Sequence, residues 1–312
     1  MDSYNQTFTG FILLGIFPPS KIGLFLFVVI VLIFLTAWIG NLSMILLILL
    51  DSHLHTPMYF LLSQLSLIDL NYISTIVPKM LSDFMLGNKY ISFIGCGFQI
   101  FLFLTFGGAE TLLLASMAYD RYVAICFPLH YATHMSKRVC VMMITGAWIL
   151  GSINSCAHTG YALQIPYCRS RAINHFFCDV PAMLILACMD TWVYEYTVFV
   201  STILFLVFPF IGIVCSYGRV FLAVYRMHSE AGKKKAYSTC STHLTVVTFY
   251  YAPFAYTYLR PRSLRSPAED KILAVFYTIL TPMLNPIIYS LRNKEVMGAL
   301  KRMTHRICFA KL

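Results

Sequence analysis

Long blocks of apolar residues, separated by short polar stretches, dominate the pattern along this chain. The first block covers residues 22–50 and contains no Asp, Glu, Lys or Arg. A helix of about 20 apolar residues crosses the hydrocarbon core of a bilayer, so this block is long enough to span a membrane with some tilt. It is too long for a signal-peptide core and no small-residue cleavage site follows it, which indicates a span that is retained.

Six further apolar blocks follow the first one. They cover residues 57–81, 92–119, 139–165, 191–218, 237–259 and 272–291. Seven spans in 312 residues leave short loops and no room for a separate soluble domain. The pattern therefore predicts an all-α membrane protein with three parts: an extracellular N-terminus over residues 1–21, a seven-transmembrane helix bundle over 22–291, and a cytoplasmic helix and tail over 292–312.

Composition and charge agree with this interpretation. The chain is 59% hydrophobic and 12% charged, which is too apolar for an ordinary soluble domain. With the N-terminus outside, fourteen of the 23 Lys and Arg residues lie on the cytoplasmic side, as the positive-inside rule requires. The net charge of +10 is therefore interpreted as a topology signal rather than a nucleic-acid-binding face. We expect a multi-pass plasma membrane protein.

Cysteines and a glycosylation sequence fit this orientation. Four cysteines fall on the predicted outer side, where oxidising conditions allow two disulfides in three possible pairings. They are Cys96, Cys168, Cys178 and Cys188. Asn5 begins an Asn-Gln-Thr sequon in the predicted extracellular terminus, where glycosylation can occur. The sequence thus predicts a disulfide-bonded glycoprotein.

Several polar residues lie inside the predicted spans. Exposing a polar side chain to lipid costs free energy, so such residues usually face the bundle interior. Asn41, Asp69 and Glu110 lie deep in spans one, two and three, and Asn285 followed by Pro286 interrupts span seven. Two carboxylates close together do not both stay ionised without a cation or a shared proton. Asp69 and Glu110 therefore indicate an internal cation or proton site, or hydrogen bonds that hold helices together, and these interpretations are compatible.

No catalytic constellation is found in the sequence. It contains no G-x-S-x-G, no H-E-x-x-H and no phosphate-binding loop, so we expect no enzymatic activity. A transporter or channel that uses Asp69 and Glu110 as an ion relay is an alternative. It leaves the Asp-Arg-Tyr string at residues 120–122 unexplained.

Four long strings of residues resemble one known family. They are MAYDRYVAICFPLHY at 117–131, PMYFLLSQLSLIDL at 57–70, KAYSTCSTHL at 235–244 and PMLNPIIYSLRNKEV at 282–296. Their sequences, their order along the chain and their spacing resemble those of the odorant receptors, which belong to the rhodopsin-like G-protein-coupled receptors. The chain most resembles family 2, subfamily L, of the class II, tetrapod-type receptors. One departure is Tyr250-Tyr251-Ala252 in place of the usual Phe-Tyr-Gly. The resemblance therefore does not predict how span six packs at these residues.

The resemblance implies a small volatile ligand held between spans three, five, six and seven. No acid lies in the outer part of span three, so an amine ligand is disfavoured. A mostly apolar pocket with a few hydroxyls suits a small neutral molecule. The implied ligand-binding residues are Phe103, Leu104, Gly107, Gly108, Thr111, Ser201, Thr202, Phe205, Phe254, Ala255, Tyr258, Val275 and Thr278.

The resemblance also implies activation of a stimulatory, olfactory-type heterotrimeric G protein that raises cyclic AMP. Asp120 would restrain Arg121 at rest, and span six would swing outward on activation. The implied switch residues are Asp120, Arg121, Tyr122, Tyr217, His243, Tyr251, Asn285, Pro286 and Tyr289. A receptor of this class that senses a metabolite outside the nose is an alternative that the sequence does not separate from olfaction.

Three structural features are implied as well. The implied disulfides are Cys96–Cys178 and Cys168–Cys188. No cofactor is implied except a structural sodium ion bound by Asp69 and Glu110, with Asn285 as a further contact. Residues 293–306 would form an amphipathic helix along the inner leaflet of the lipid bilayer.

Overall fold

The computed structural model describes residues 9–309, which are almost entirely helical. The bounds of the long helices are α1 Lys21–Leu50, α2 Pro57–Leu86, α3 Phe93–Cys126, α4 Lys137–Ala162, α5 Trp192–Tyr225, α6 Glu230–Leu259, α7 Pro267–Arg292 and α8 Lys294–Phe309. Six of the first seven are long and apolar enough to cross a membrane. The remaining one, α6, is equally long but richer in Ser, Thr and Tyr. Helices α1 to α7 form the predicted seven-transmembrane bundle, which confirms the fold class.

The helix ends follow from local sequence chemistry. Four helices begin after a serine whose side-chain oxygen accepts a hydrogen bond from the backbone N–H three residues later, and these serines are Ser20, Ser92, Ser136 and Ser229. Such a cap satisfies an N–H group that has no partner inside the helix and contributes about 1 kcal/mol. Helix α2 ends at Gly87, whose φ of 66° is readily adopted only by glycine.

Several helices continue beyond the predicted spans. Helix α3 reaches Cys126, so Asp120 and Arg121 lie within its last turns rather than after its end. Helix α5 reaches Tyr225, and α6 already begins at Glu230. Hydrophobicity reports only the length that suits lipid, whereas backbone hydrogen bonding continues into water where polar side chains are solvated. Several of the predicted spans are therefore shorter than the helices that contain them.

Helices α5 and α7 each contain a π-helical turn just before a proline. Ile203–Val207 precedes Pro209, and Phe276–Leu280 precedes Pro282. Proline has no N–H and its ring clashes with the carbonyl four residues earlier, so a wider turn accommodates it. Pro286 lies inside α7, shortly after this turn. Both helices therefore depart from regular α-helical geometry next to the bundle interior.

Helix α3 occupies the centre of the bundle and contacts α2, α4 and α5. Its approach to α4 depends on Gly151, because a Cβ atom there would lie 2.8 Å from the carbonyl oxygen of Thr105. Small residues allow membrane helices to pack closely, where lipid gives little hydrophobic driving force between them. By contrast, the outward face of α1 exposes large apolar side chains such as Ile22 and Phe25. This exposure is expected of a surface that faces lipid.

One end of the bundle carries a small sheet and both disulfides. The strands are β1 Gly10–Leu13, β2 Tyr90–Ser92 and β3 Ala172–Ile173, in the order β2-β1-β3, with β1 antiparallel to β2 and parallel to β3. The disulfides join Cys96 to Cys178 and Cys168 to Cys188. We call this the disulfide end and the opposite end, which holds Arg121, the Arg121 end. The predicted glycosylation site Asn5 lies outside the described residues.

Candidate functional site

A cavity of about 60 Å³ lies inside the bundle toward the disulfide end, and we call it the inner cavity. Ten of the thirteen residues predicted to bind ligand line it: Phe103, Leu104, Gly107, Gly108, Thr111, Ser201, Thr202, Phe205, Phe254 and Tyr258. Ile100, Val198 and Leu206 add apolar surface. This volume is well below the roughly 300–1,000 Å³ that is typical of ligand pockets, so a ligand of some ten heavy atoms requires wall side chains to move.

The three remaining predicted residues do not line the inner cavity. They are Ala255, Val275 and Thr278. The side chain that reaches inward from α7 is Tyr277, whose ring centroid lies 5.0 Å from that of Phe254 and 6.3 Å from that of Phe103. This aromatic cluster fills the space between α7 and the cavity. Helix α7 therefore supports the wall rather than forming it.

Helix α4 contributes two polar wall residues that the sequence analysis did not single out, Asn154 and His158. The hydroxyl of Ser201 donates a hydrogen bond of 2.8 Å to the side-chain oxygen of Asn154. Residues four apart lie on one face of a helix, and polar residues in a span usually face the interior. That signal was present in the sequence. The wall therefore combines aromatic rings with an amide group.

A loop residue, Asp179, closes the disulfide end of the inner cavity. Tyr258 Oη donates a hydrogen bond of 2.8 Å to Asp179 Oδ1, and both side chains are buried. Burial raises the pKa of Asp179 to about 6, although this hydrogen bond and the nearby Arg265 act to lower it. The backbone N–H of Cys178 donates to Gln99 Oε1 at 2.8 Å, which fixes the loop over α3. The implied Cys96–Cys178 pairing was the only sequence signal for this placement.

Two tyrosines of α6 bind the cavity wall of α3. Tyr250 Oη donates to the carbonyl oxygen of Gly107, and Tyr251 Oη donates to that of Thr111, each at 3.1 Å. Both tyrosines are buried. Tyr250 stands where the family usually has phenylalanine. Its hydrogen bond to Gly107 is therefore a contact that a phenylalanine could not make, because phenylalanine has no hydroxyl. Two hydrogen bonds therefore join this wall of α3 to α6.

Closer to the Arg121 end, a further contact joins α5 to α6. Tyr217 Oη and His243 Nδ1 are 2.6 Å apart, and both side chains are buried. Tyr289 of α7 is also buried, and its hydroxyl has no partner among the described residues. Tyr122 instead packs edge-on against Phe127, with ring centroids 5.6 Å apart. The structure therefore brings Tyr217 and His243 together but places Tyr122 in a separate contact.

The adjacent residues Asp120 and Arg121 form an ion pair. Arg121 Nε donates to Asp120 Oδ2 at 3.0 Å, and a terminal guanidinium nitrogen also contacts this oxygen. Tyr131 Oη donates to the other carboxylate oxygen at 2.7 Å. Asp120 is fully buried, and the side chain of Arg121 is 17% exposed. Each carboxylate oxygen thus has a donor, which is the condition for burying a charged group.

A polar cluster lies at mid-depth between α1, α2, α3 and α7. Asn285 Nδ2 donates to Asp69 Oδ2 at 2.9 Å, and Asn41 Nδ2 donates to the carbonyl oxygen of Pro282 at 2.7 Å. Asp69 Oδ1, Glu110 Oε1 and Asn41 Oδ1 are buried without a partner among the described residues. Carboxylate and amide oxygens are ligands that hard cations prefer, so these unpaired atoms fit a sodium ion. In the same range, no group of three or more His, Cys, Asp or Glu residues is placed to hold a metal.

Comparison with known proteins decides the family. The sequence model of the olfactory receptors matches residues 30–306. The chain belongs to the olfactory receptor family. Human olfactory receptor 2L8 is 80% identical to this receptor over 312 residues, and human olfactory receptor 2L2 is 78% identical, each over the full length of both chains. Human olfactory receptor 2L13 is 69% identical over 311 residues, which is again 100% of both chains.

This membership confirms several predictions from the sequence. The receptor is a G-protein-coupled odorant receptor of the plasma membrane, with several membrane spans, and it is not an enzyme. The human receptors 2L8 and 2L2 agree with the predicted family 2, subfamily L. The particular roles of the cavity, the ion pair and the polar cluster follow as proposals.

Proposed function

We propose that the receptor binds small, mostly apolar volatile odorants in the inner cavity and activates a stimulatory, olfactory-type G protein, which raises cyclic AMP. The observation that carries this proposal is the shared wall of α3. Gly107 and Thr111 line the inner cavity and also accept hydrogen bonds from α6. A ligand that displaces this wall therefore acts directly on the helix that must move to admit a G protein.

Recognition combines apolar burial with one or two hydrogen bonds. Phe103, Phe205 and Phe254 offer apolar surface, and each ligand CH₂ removed from water contributes about 0.8 kcal/mol. The amide of Asn154 uses its oxygen to accept from Ser201, so its N–H groups remain to donate to a ligand. A carbonyl or hydroxyl oxygen on the odorant is the acceptor that this geometry favours.

Transmission follows the contacts between α3, α5 and α6. When the segment of α3 around Thr111 moves, the hydrogen bond from Tyr251 shifts α6 with it. The bond between Tyr217 and His243 then breaks, because its two partners lie on α5 and α6. Tyr217 becomes an alternative partner for Arg121, and the cleft at the Arg121 end opens. Arg121 thus exchanges one protein partner for another, and Asp120 keeps the hydrogen bond from Tyr131, which suits a two-state switch.

The polar cluster supplies a means of holding the resting state. Sodium, when bound, supplies a positive charge that lets both buried carboxylates stay ionised. Asp69, Glu110 and Asn41 would hold it through the oxygens that lack protein partners. Asn285 fixes the orientation of Asp69 through its amide. Because these residues belong to four helices, their contacts bind those helices into one arrangement.

The proposed orientation places the disulfide end outside the cell. Residues 1–21 then lie outside, residues 22–291 form the bundle, and residues 292–312 lie in the cytoplasm. Both disulfides meet an oxidising compartment in this orientation. The cations of α8 meet the inner leaflet, whose anionic lipids attract them. A metabolite ligand outside the nose is distinguished from an odorant only by where the receptor is expressed.

The function is tested by measuring cyclic AMP in cells that co-express the receptor with an olfactory-type G protein, across a panel of volatiles. We expect a response in the wild type, its loss in Arg121→Ala, and a shift in potency of about tenfold in Tyr258→Phe, which removes a buried hydrogen bond. Surface display is measured for each variant. Two controls match these changes: Arg138→Ala removes an exposed cation, and Tyr277→Phe removes a hydroxyl outside the cavity lining.

Three outcomes would count against this function. A response that persists in a displayed Arg121→Ala receptor contradicts the switch. Equal shifts in Tyr258→Phe and Tyr277→Phe place the ligand elsewhere. Silence of a displayed wild type toward every volatile argues against odorant recognition.

The sodium proposal is tested by replacing sodium with choline at constant ionic strength. We expect agonist potency to rise severalfold as sodium is removed from the wild type, because the resting state loses a stabilising ion. In Glu110→Gln the potency should no longer depend on sodium. Glu230→Gln changes an exposed glutamate and should behave as the wild type. Equal sodium dependence in Glu110→Gln and the wild type contradicts the site.

A further inference from the structure

A second and larger cavity opens at the disulfide end, beyond the hydrogen bond between Tyr258 and Asp179. Its volume is about 650 Å³, within the range of roughly 300–1,000 Å³ that is typical of ligand sites. We call it the outer cavity. It lies between the loop that precedes α5, the first turns of α5 and the connection from α6 to α7. Tyr258, Asp179 and Val198 also line the inner cavity, so these residues separate the two.

The outer cavity has an amphipathic wall. Apolar side chains from the loop and from α5 form one part, including Ile185, Leu186 and Phe199. Charged side chains form another part: Asp179, Glu195, Arg260, Arg265 and Asp270. A mostly apolar surface with a few charged groups is the usual composition of a small-molecule site. The charged groups determine which molecule fits.

Most of these charged groups already have protein partners. Arg260 pairs with Glu269 at 2.6 Å and also with Asp270. Tyr258 donates to Asp179. Thr191 donates to Glu195 at 2.6 Å. The three acidic side chains of the outer cavity, Asp179, Glu195 and Asp270, thus each interact with another protein side chain.

Arg265 is different. Its Nε donates to the carbonyl oxygen of Arg260 at 3.4 Å, a long and weak contact. Among the described residues, no carboxylate oxygen lies within 4.0 Å of its guanidinium, although the side chain is half-buried. A guanidinium can donate five hydrogen bonds in a fork that matches a carboxylate. Arg265 therefore brings unused donors and a positive charge to the outer cavity.

His175 adds a second unused polar group to the same cavity. It is 1% exposed, and neither ring nitrogen makes a hydrogen bond of good geometry among the described residues, although the backbone of Asp270 lies nearby. Its ring stacks on Phe176, with centroids 4.8 Å apart, which fixes its orientation. Burial lowers the pKa of His175 to about 3, so the imidazole is neutral at pH 7. A neutral imidazole can donate one hydrogen bond, and a buried group without a partner is costly unless a ligand supplies one.

We propose that the outer cavity is a second ligand site, separate from the inner cavity, that binds small amphipathic carboxylates through Arg265. The carboxylate is ionised at neutral pH and accepts from the guanidinium, and His175 is a further donor along the same wall. The hydrocarbon chain lies against Ile185, Leu186 and Phe199. This proposal does not depend on what the inner cavity binds.

The test uses the purified full-length receptor in lipid nanodiscs and tritiated octanoate, with empty nanodiscs as the measure of partition into lipid. We expect saturable binding at pH 7.4 that unlabelled octanoate displaces. Octylamine and octan-1-ol have the same chain but a cationic or a neutral head group, and they should not compete at equal concentration. Competition by octylamine would show that the acids of the cavity dominate and would overturn the proposal. Absence of saturable octanoate binding would also overturn it.

Variants locate the bound octanoate. Arg265→Gln keeps a polar side chain that can donate hydrogen bonds but removes the charge, and we expect about tenfold weaker binding. Arg169→Gln removes an exposed cation from the same end and should bind normally. Gly107→Ala narrows the inner cavity with only ordinary contact, since its Cβ would lie 3.6 Å from Tyr250 Oη, so octanoate binding should not change. Weakening in Gly107→Ala but not in Arg265→Gln would place octanoate in the inner cavity. If Arg265→Gln folds poorly, the competition by octylamine and octan-1-ol on the wild type still tests whether the site selects a carboxylate.

Discussion

Two aspartate–arginine pairs at the Arg121 end of the receptor use the same chemistry in different surroundings. Asp120 and Arg121 are neighbours in α3, and Asp120 is fully buried. Asp51 and Arg302 join the loop after α1 to α8, with Arg302 Nε 2.9 Å from Asp51 Oδ2. The side chain of Arg302 is 42% exposed, against 17% for Arg121. Exposure of the cation to water is the main difference between the pairs.

This difference decides what each pair can do. The Asp51 pair is exposed only at its cation, since the side chain of Asp51 is 8% exposed. When such a pair separates, water solvates the guanidinium, so the pair is worth little and its loss is gradual. When a buried pair separates, each charge needs another protein partner, so only a few discrete arrangements are stable. A buried pair therefore suits a switch, and an exposed pair suits the positioning of a helix. The following predictions test this contrast.

The largest effect is expected for Asp120→Asn. The amide keeps the shape of the side chain but removes the charge that holds Arg121, so the resting state is destabilised. We expect basal cyclic AMP without ligand to rise by about tenfold, within the range of typical coupling energies. Asp51→Asn makes the same chemical change in the exposed pair and should leave basal signalling unchanged. A displayed Asp120→Asn receptor with normal basal activity would remove the distinction between the two pairs.

A smaller effect is expected for Tyr131→Phe. Its hydroxyl donates to Asp120 Oδ1 at 2.7 Å, and without it one oxygen of a buried carboxylate lacks a donor. A buried hydrogen bond to a charged group is worth about 1.5 kcal/mol or more, and only part of this distinguishes the two states, so we expect a rise of about two- to fourfold in basal cyclic AMP. Tyr225→Phe is a suitable control, since Tyr225 is 81% exposed. An equal rise in both variants would show that Tyr131 does not position Asp120.

The bundle was predictable because hydrophobic length is a local property of the sequence. The polar residues Asn41, Asp69 and Glu110 were found in the same way, and all three are buried. The strands β1 to β3 were not foreseen, because they contain only two to four residues and pair segments that are far apart in the chain. Such pairing depends on the tertiary fold and leaves little periodic signal in the sequence.

The residues of the cavity wall were harder to predict from the sequence than the helices. The family resemblance implied Val275 and Thr278 as ligand contacts, but neither lines the inner cavity, and Tyr277 packs in the aromatic cluster behind it. Thr278 and Tyr277 lie within the π-helical turn Phe276–Leu280, where the angle between successive side chains differs from that of an α-helix. Regular spacing fails at such a turn. Asp179 was missed for another reason, since a long loop has no periodicity and only the disulfide at Cys178 locates it.

The smallest effect is expected for Asp51→Asn on thermal stability. Although burial acts to raise it, hydrogen bonds from His53 and Arg302 lower the pKa of Asp51 to about 2, below its ordinary value of 3.8. A lowered pKa stabilises the fold above pH 4, and this contribution is lost only as the pH falls toward 2. Titration of Asp51 itself therefore does not alter the difference between the wild type and Asp51→Asn between pH 5 and 8. We expect the apparent Tm of the purified receptor at pH 8 to fall by about 1–3 °C, and high salt should narrow this difference because it screens the exposed cation. A much larger fall, or one that salt does not change, would mean that this pair is coupled to the buried core as Asp120 and Arg121 are.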